Sequence, residues 1–471
     1  MQISFASIGT NLIVLLMAAL SIAAARAQPT DPGVRQESSV NGPPVPMTGL
    51  NQAELAFFED GLNRFQTSEV VSGASTAQGN GLGPRFNSNS CVSCHLYPTA
   101  GGSSPARNPL YAIATAYAAN NGMPWFIATD GPVREARFVQ SNGTADGSVH
   151  NLFVVTGRSD AGGCALRQPD FSPAGDPVTG QGGNPNIVFR VPTPTFGAGL
   201  IEAIPDSAIL ANMQNNAMQN ARVGVHGHAN AIQGGNVNRS ANDGTITRFG
   251  WKAQNKSLLM FAGEAYNVEM GISNELFPQE RVETAGCRPY NITPEDTDNF
   301  FPAAAGGGMA ALSDIEAFAN FMRMLAPPEP AAATPSIING RQLFIGAGCA
   351  SCHTPTLMTG AAIATGSSRA PSPALSAQPA NLYSDLLVHH MGQGLADGIT
   401  QGAAGPDEFR SAPLWGLGQR IYFLHDGRTS DLLTAIEAHK SSGSEANTVV
   451  QQFNALSEGQ QQDVLNFLRS L

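Results

Sequence analysis

A Cys-x-x-Cys-His pattern occurs twice in this chain, at Cys91-Val92-Ser93-Cys94-His95 and at Cys349-Ala350-Ser351-Cys352-His353. Covalent attachment of a haem requires this set: two thiols spaced to reach both vinyl groups, and a neighbouring imidazole to bind the iron. A zinc ribbon would place two cysteine pairs on one metal, and a thioredoxin-like pair has no use for the histidine that follows. The chain holds six Cys and nine His in 471 residues, so two chance matches are very rare. The sequence therefore predicts two covalently bound haem c groups, one on Cys91, Cys94 and His95, the other on Cys349, Cys352 and His353.

Gly 51 and Pro 32, against only 13% charged residues, predict long irregular loops, which suits domains whose cofactor replaces part of the core. The net charge of −11 disfavours nucleic acid and anionic membrane as partners and is compatible with a small electron-donor protein that has a basic face. An apolar run from Leu12 to Ala25 ends in Ala25-Arg26-Ala27, the pattern of a cleaved signal peptide over residues 1–27 and of export to the periplasm. The residues before that run lack Lys and Arg, so an uncleaved anchor is the alternative. No later apolar run reaches the roughly 20 residues that span a bilayer.

A polar leader follows at 28–48, and Pro327-Pro328-Glu329-Pro330 breaks the chain again. The reading is an N-terminal haem domain at 49–326, a linker at 327–335 and a C-terminal cytochrome c-like haem domain at 336–471. Both domains open on a helical stretch, Glu54 to Phe65 and Ile337 to Phe344, and both close on an amphipathic helix. The closing helices are announced by capping pairs, Ser313 with Glu316 and Ser457 with Gln460. The expected fold class is mainly α: two cytochrome c-like haem domains with long irregular loops, the first enlarged by insertions. Asp206 to Thr247, rich in Asn, Gln, Gly and Ala, is expected to be a surface excursion. Cys164 and Cys287 are left over, either as a disulfide or as two free thiols.

From Cys349 onward the chain resembles the bacterial di-haem cytochrome c peroxidase superfamily, and within it the di-haem oxidoreductase branch, also labelled thiol oxidoreductase. The residues that carry this are Cys349 to Pro355, Asp385 to Gly392, Phe409 to Trp415, Phe423 to Arg428 and Leu432 to His439. The resemblance implies that His439 is the second axial ligand of the C-terminal haem, where better-known relatives carry Met or Tyr; the alternative is a helix-surface histidine. It makes His425 a hydrogen-bonding residue near that haem.

In the first domain the likeness is looser. Cys91 to His95 followed by Gly101-Gly102 resembles the peroxidatic-haem motif, and Tyr111 stands where switching members carry a distal His, implying an open iron site. Trp251 resembles the tryptophan that relays electrons between the haems; an ordinary half-buried Trp is the alternative. Glu269-Met270 resembles the pair carrying the distal acid, with Glu264 behind it, while Phe261 takes the place of the usual distal Gln. The superfamily also implies a calcium ion between the haems, held largely by backbone carbonyls. His150, His226 and His228 are further candidate ligands or, alternatively, solvent-facing.

These readings converge on a periplasmic, peroxidase-like oxidoreductase. A cytochrome c or cupredoxin donor reduces the C-terminal haem, and hydrogen peroxide or another small oxidant reacts at the N-terminal one. An oxygenase acting on an organic substrate and a non-enzymatic electron-transfer cytochrome are the alternatives.

Overall fold

The computed structural model describes residues 28–35, 44–70, 81–110, 112–113, 122–154, 166–171, 186–231, 246–279, 296, 299–300, 310–362 and 371–471. The signal-peptide expectation at 1–27, Tyr111, Cys164 and Cys287 lie outside them.

Each half is built on a crossed pair of helices. Asn51 starts the opening helix Gln52–Gln66: its side chain accepts from the Ala53 and Glu54 N–H groups, and Glu54 accepts from Asn51 N at 2.8 Å. Phe58 and Phe65 on this helix pack against Phe321 of the closing helix Asp314–Met324, with ring centroids 5.4 and 4.9 Å apart. Gly61 permits the crossing, since a Cβ there would lie 2.3 Å from the Ala317 carbonyl oxygen. The second half repeats the device. Helix Pro335–Gly346 crosses Glu458–Ser470 at Gly340, where a Cβ would lie 1.9 Å from Asp463 O.

The capping pair Ser457 and Gln460 forms as the sequence predicts. The pair Ser313 and Glu316 does not: the Asp296 carboxylate accepts from Asp314 N at 2.7 Å and Ile315 N at 3.1 Å. A residue distant in sequence thus satisfies the helix end that a local cap was expected to serve.

Helix takes 33% of the described residues and strand 14%, so "mainly α" understates the sheets. Among the described residues there are six small sheets, and one has three antiparallel strands in the order Val149–His150, Glu135–Phe138, Ile187–Arg190. That sheet carries charged side chains to the site described below. No described helix is long and apolar enough to cross a membrane.

The described part of the segment from Asp206 lies at the surface, with Met218 84% exposed, but it is anchored rather than free. Its helix, Asp206–Ala221, lies against the second attachment motif: Asn212 Nδ2 donates to Thr354 Oγ1 and Asn220 Nδ2 to Ser351 O, both at 3.1 Å. The chain then pairs with the second half, where His228 N donates to Val388 O at 3.0 Å. The amide-rich composition serves as a source of donors and acceptors along the seam between the halves. The leader is also fastened down, since both Asp31 carboxylate oxygens accept from Arg469 at 2.6 Å.

Beneath the first helix pair, burial and then the Asp314 charge push Glu69 and Asp296 each up to about 7. Both carboxyls bind their proton more tightly folded than unfolded, so their contribution is full below the unfolded values, 4.5 and 3.8, and is lost as pH rises through about 7. The thermal midpoint is expected to fall over that window. A melting series that rises across it would contradict this.

Candidate functional site

Each cysteine motif forms a single tight turn. His95 N donates to Cys91 O and His353 N to Cys349 O, both at 3.0 Å, which sets the two thiols and the imidazole together. The imidazole Nδ1 atoms are then held by backbone carbonyls, His95 by Gly102 and His353 by Tyr383, each at 3.0 Å. His439 is held the same way, with Nδ1 2.7 Å from Ala435 O. This leaves Nε2 of His353 and His439 free as a lone-pair donor, the tautomer that a metal-ligating histidine needs, while His95 also has the Thr193 backbone beside it. Burial lowers all three from the ordinary histidine value; His353, also facing His439, falls to about 4. Gly102 is required here, because a Cβ would lie 2.0 Å from Tyr97 O.

The two motifs open into separate cavities. One, of about 200 Å³, contains Cys349, Cys352, His353 and His439 among apolar walls. The other, of about 150 Å³, contains Cys91, Cys94 and His95. The separation excludes a single zinc ion on both cysteine pairs. Burial also pushes the Cys94 and Cys349 thiols up to about 12, away from the thiolate that zinc binding or disulfide exchange needs. Among the described residues, no cluster of three His, Cys, Asp or Glu side chains is placed to hold a metal ion.

Both cavities fit a haem by buried guanidinium groups whose donors the protein leaves at least partly without an acceptor. Arg410 and Arg420 face the larger one, where burial pulls each guanidinium down to about 10, and neither pairs with a carboxylate among the described residues. In the smaller cavity the Nε of Arg190 is buried without an acceptor. Buried donors of this kind suit a bound group that brings its own carboxylates.

The smaller cavity differs in its polar residues. His95 is the one histidine among its described lining residues, and Glu135, Arg137, Glu264 and Glu269 share the space with Phe261 and Gln254. Glu269 accepts from Asn87 Nδ2 at 2.6 Å and lies within hydrogen-bonding reach of Glu135; burial and then the Glu135 charge push it up to about 8. Glu135 accepts from Arg137 Nε at 2.6 Å, and that guanidinium and Arg190 hold it below the usual carboxylate range despite its burial. Glu135, Arg137 and Arg190 were not singled out from sequence. Their signal was strand alternation, which sets residues 135 and 137 on one face, but nothing in the sequence says which cavity that face meets.

Trp251 lines both cavities, donates from Nε1 to Val191 O at 2.8 Å, and stands 6.4 Å, centroid to centroid, from His425. His425 lines the larger cavity and stacks on Phe409 at 4.2 Å. His150 is buried, with Nε2 2.6 Å from Asp146 and its ring on Phe138. His226 is exposed, whereas His228 is half-buried with Nε2 2.8 Å from Glu408 Oε1. Missed from sequence was His389, buried between Asp385 and Glu445 at 3.1 and 3.0 Å, with Nδ1 3.5 Å from Cys352 Sγ. Gly227, between the two seam histidines, clears it: a Cβ there would meet His389 Cε1 at 2.2 Å. Glu202 is buried, accepting from Leu258 N at 2.8 Å and Arg323 Nε at 2.7 Å.

No curated protein matches the chain. Among solved structures it is similar to the diheme peroxidase BthA of Burkholderia thailandensis E264: 15% identity over 61% of this chain and 88% of that one, TM-score 0.28. A MauG-like protein associated with microbial copper homeostasis matches at 19% identity over 34% of this chain, TM-score 0.22. Hydrazine synthase of Kuenenia stuttgartiensis matches at 17% over 35%, TM-score 0.22. The chain spans 57% of the hydrazine synthase chain and 52% of the MauG-like one. Residues 184–471, more than half of the chain, match the family described as "Di-haem oxidoreductase, putative peroxidase". The chain belongs to this di-haem oxidoreductase family.

Proposed function

We propose that this protein is an exported di-haem c-type peroxidase that takes electrons from a small donor protein at its C-terminal half and reduces peroxide in the smaller cavity. The observation that carries the proposal is the difference between the cavities: one offers two imidazoles with free Nε2 atoms, the other a single imidazole and a carboxyl pair. Cys349, Cys352, His353 and His439 would hold one haem, and Cys91, Cys94 and His95 the other. Haem iron, when bound, supplies one-electron redox chemistry and, where a protein ligand is missing, a place for a small oxidant. Trp251, in the wall common to both cavities, serves as the electron relay. Glu269 supplies the proton that O–O cleavage consumes.

Electron paramagnetic resonance tests the assignment. The ferric protein is expected to show one low-spin and one high-spin centre, and His439→Gly to add a second high-spin signal. Two low-spin centres in the unmodified protein would sink the enzymatic reading in favour of an electron-transfer cytochrome. A low-spin second centre surviving in His439→Gly would remove His439 from the ligand set. Phe261 in the smaller cavity favours one rival, an oxygenase on an organic substrate, because an apolar side chain cannot hydrogen-bond peroxide. Slow oxidation of the reduced protein by peroxide would select that rival.

A further inference from the structure

The smaller cavity holds more acid–base machinery than one carboxyl group. Glu135 lies on the central strand of the three-stranded sheet, two residues from Arg137 and directly across from Arg190. Glu269 comes from helix Leu258–Met270, and the two carboxyl groups line the same cavity, within hydrogen-bonding reach of each other. A hydrogen bond between two carboxyls needs a proton on one of them, since two carboxylates only accept. Their surroundings are unequal. Glu135 has the Arg137 guanidinium at 2.6 Å, whereas Glu269 has the neutral amide of Asn87.

We propose that Glu135 is the proton-sharing partner of Glu269, so that the pair holds one proton in common, with Arg137 fixing Glu135 as the charged member. The assignment deepens the peroxidase reading and gives Glu135 a positioning role, exerted through Glu269. Reduction of peroxide to two waters takes two electrons, from the donor protein, and two protons. When Glu269 releases its proton to the oxygen being reduced, two carboxylates are left side by side in a buried site. Their repulsion draws a replacement proton from solvent, and the acid is reloaded for the next transfer. The charged and titratable groups facing the pair are Arg137 and Arg190 from the sheet, Glu264 from the same helix as Glu269, and Cys94 from the attachment turn.

Infrared titration of the holoprotein reads the shared proton without using activity. The band of a protonated carboxyl is expected to persist up to about pH 8. In Glu135→Gln the like charge is gone and the new amide donates to the Glu269 carboxylate, so the band should vanish about one pH unit lower or more. In Glu269→Gln the high-pH band should be absent, and this variant keeps the test open if Glu135→Gln fails to fold. Glu69 and Asp296 keep their own protons up to about pH 7, so the component that disappears near pH 8 is the one compared: if it is unchanged in Glu135→Gln, or persists in Glu269→Gln, the proposal is overturned. Peroxide turnover supplies a second reading. Proton sharing predicts that Glu135→Gln loses rate mainly on the basic side of the pH profile, and an equal loss at every pH would leave Glu135 merely structural and reject the assignment. If the unmodified protein turns over no peroxide, the peroxidase reading fails, while the infrared result still decides the pair.

Discussion

Glu269→Gln is expected to lower the rate of peroxide consumption by roughly 10²–10⁴-fold, the range that a positioned general acid contributes. The amide keeps the size of the side chain and can still face Asn87, so the haem environment should change little while the transferable proton is lost. The pH dependence has a definite sign. Glu269 is raised to about 8, so it is protonated at neutral pH, and the acid-dependent rate falls as pH rises through that value. Stopped-flow mixing of the reduced protein with peroxide, across pH and in both proteins, measures the effect. A variant that reacts within a few-fold of the parent would take Glu269 out of the reaction.

Asp397→Ala is expected to destabilise the fold by about 3–5 kcal/mol, because it leaves two buried cations without their anion. Asp397 Oδ2 accepts from Arg190 at 2.8 Å, Oδ1 lies 3.1 Å from Lys252 Nζ, and the three side chains are 1%, 2% and 0% exposed. Burial already lowers Lys252 to about 8, and removal of Asp397 should lower it further, until the amine sheds its proton. The triad joins the first half, through Arg190 and Lys252, to a loop of the second, so the loss should appear in the unfolding of both halves together. Denaturant unfolding followed by haem absorbance and by circular dichroism reads both. A change below about 1 kcal/mol would show that the triad is not the seam it looks to be.

Lys252 illustrates where sequence reasoning stops. It follows Trp251 directly, yet only the fold buries it, between Asp397 and the Phe409 ring 4.1 Å away. Asp206 onward is a second case, since its amide-rich composition reads as a free excursion until the second attachment turn is set beside it. His439 was legible through the motif spacing of its relatives, but its likeness to His353 in hydrogen bonding was not. Of the nine histidines, the three proposed as iron ligands have Nδ1 on a backbone carbonyl and no carboxylate partner among the described residues, whereas His150, His389 and His390 are paired with carboxylates. Sequence spacing carries no information about that choice of partner.

The sequence by itself determined the two Cys-x-x-Cys-His turns and the paired opening and closing helices around each. These depend on contacts within a few residues or on hydrophobic periodicity, which local sequence encodes. The resemblance already implied that the halves differ in chemistry, and only the tertiary structure showed which groups meet in each cavity. One cavity receives a second imidazole from its own half, and the other receives Glu135 from a strand and Glu269 from a helix far apart in the chain. Whether a carboxyl holds a proton depends on burial and on the charges brought beside it, and folding alone creates both.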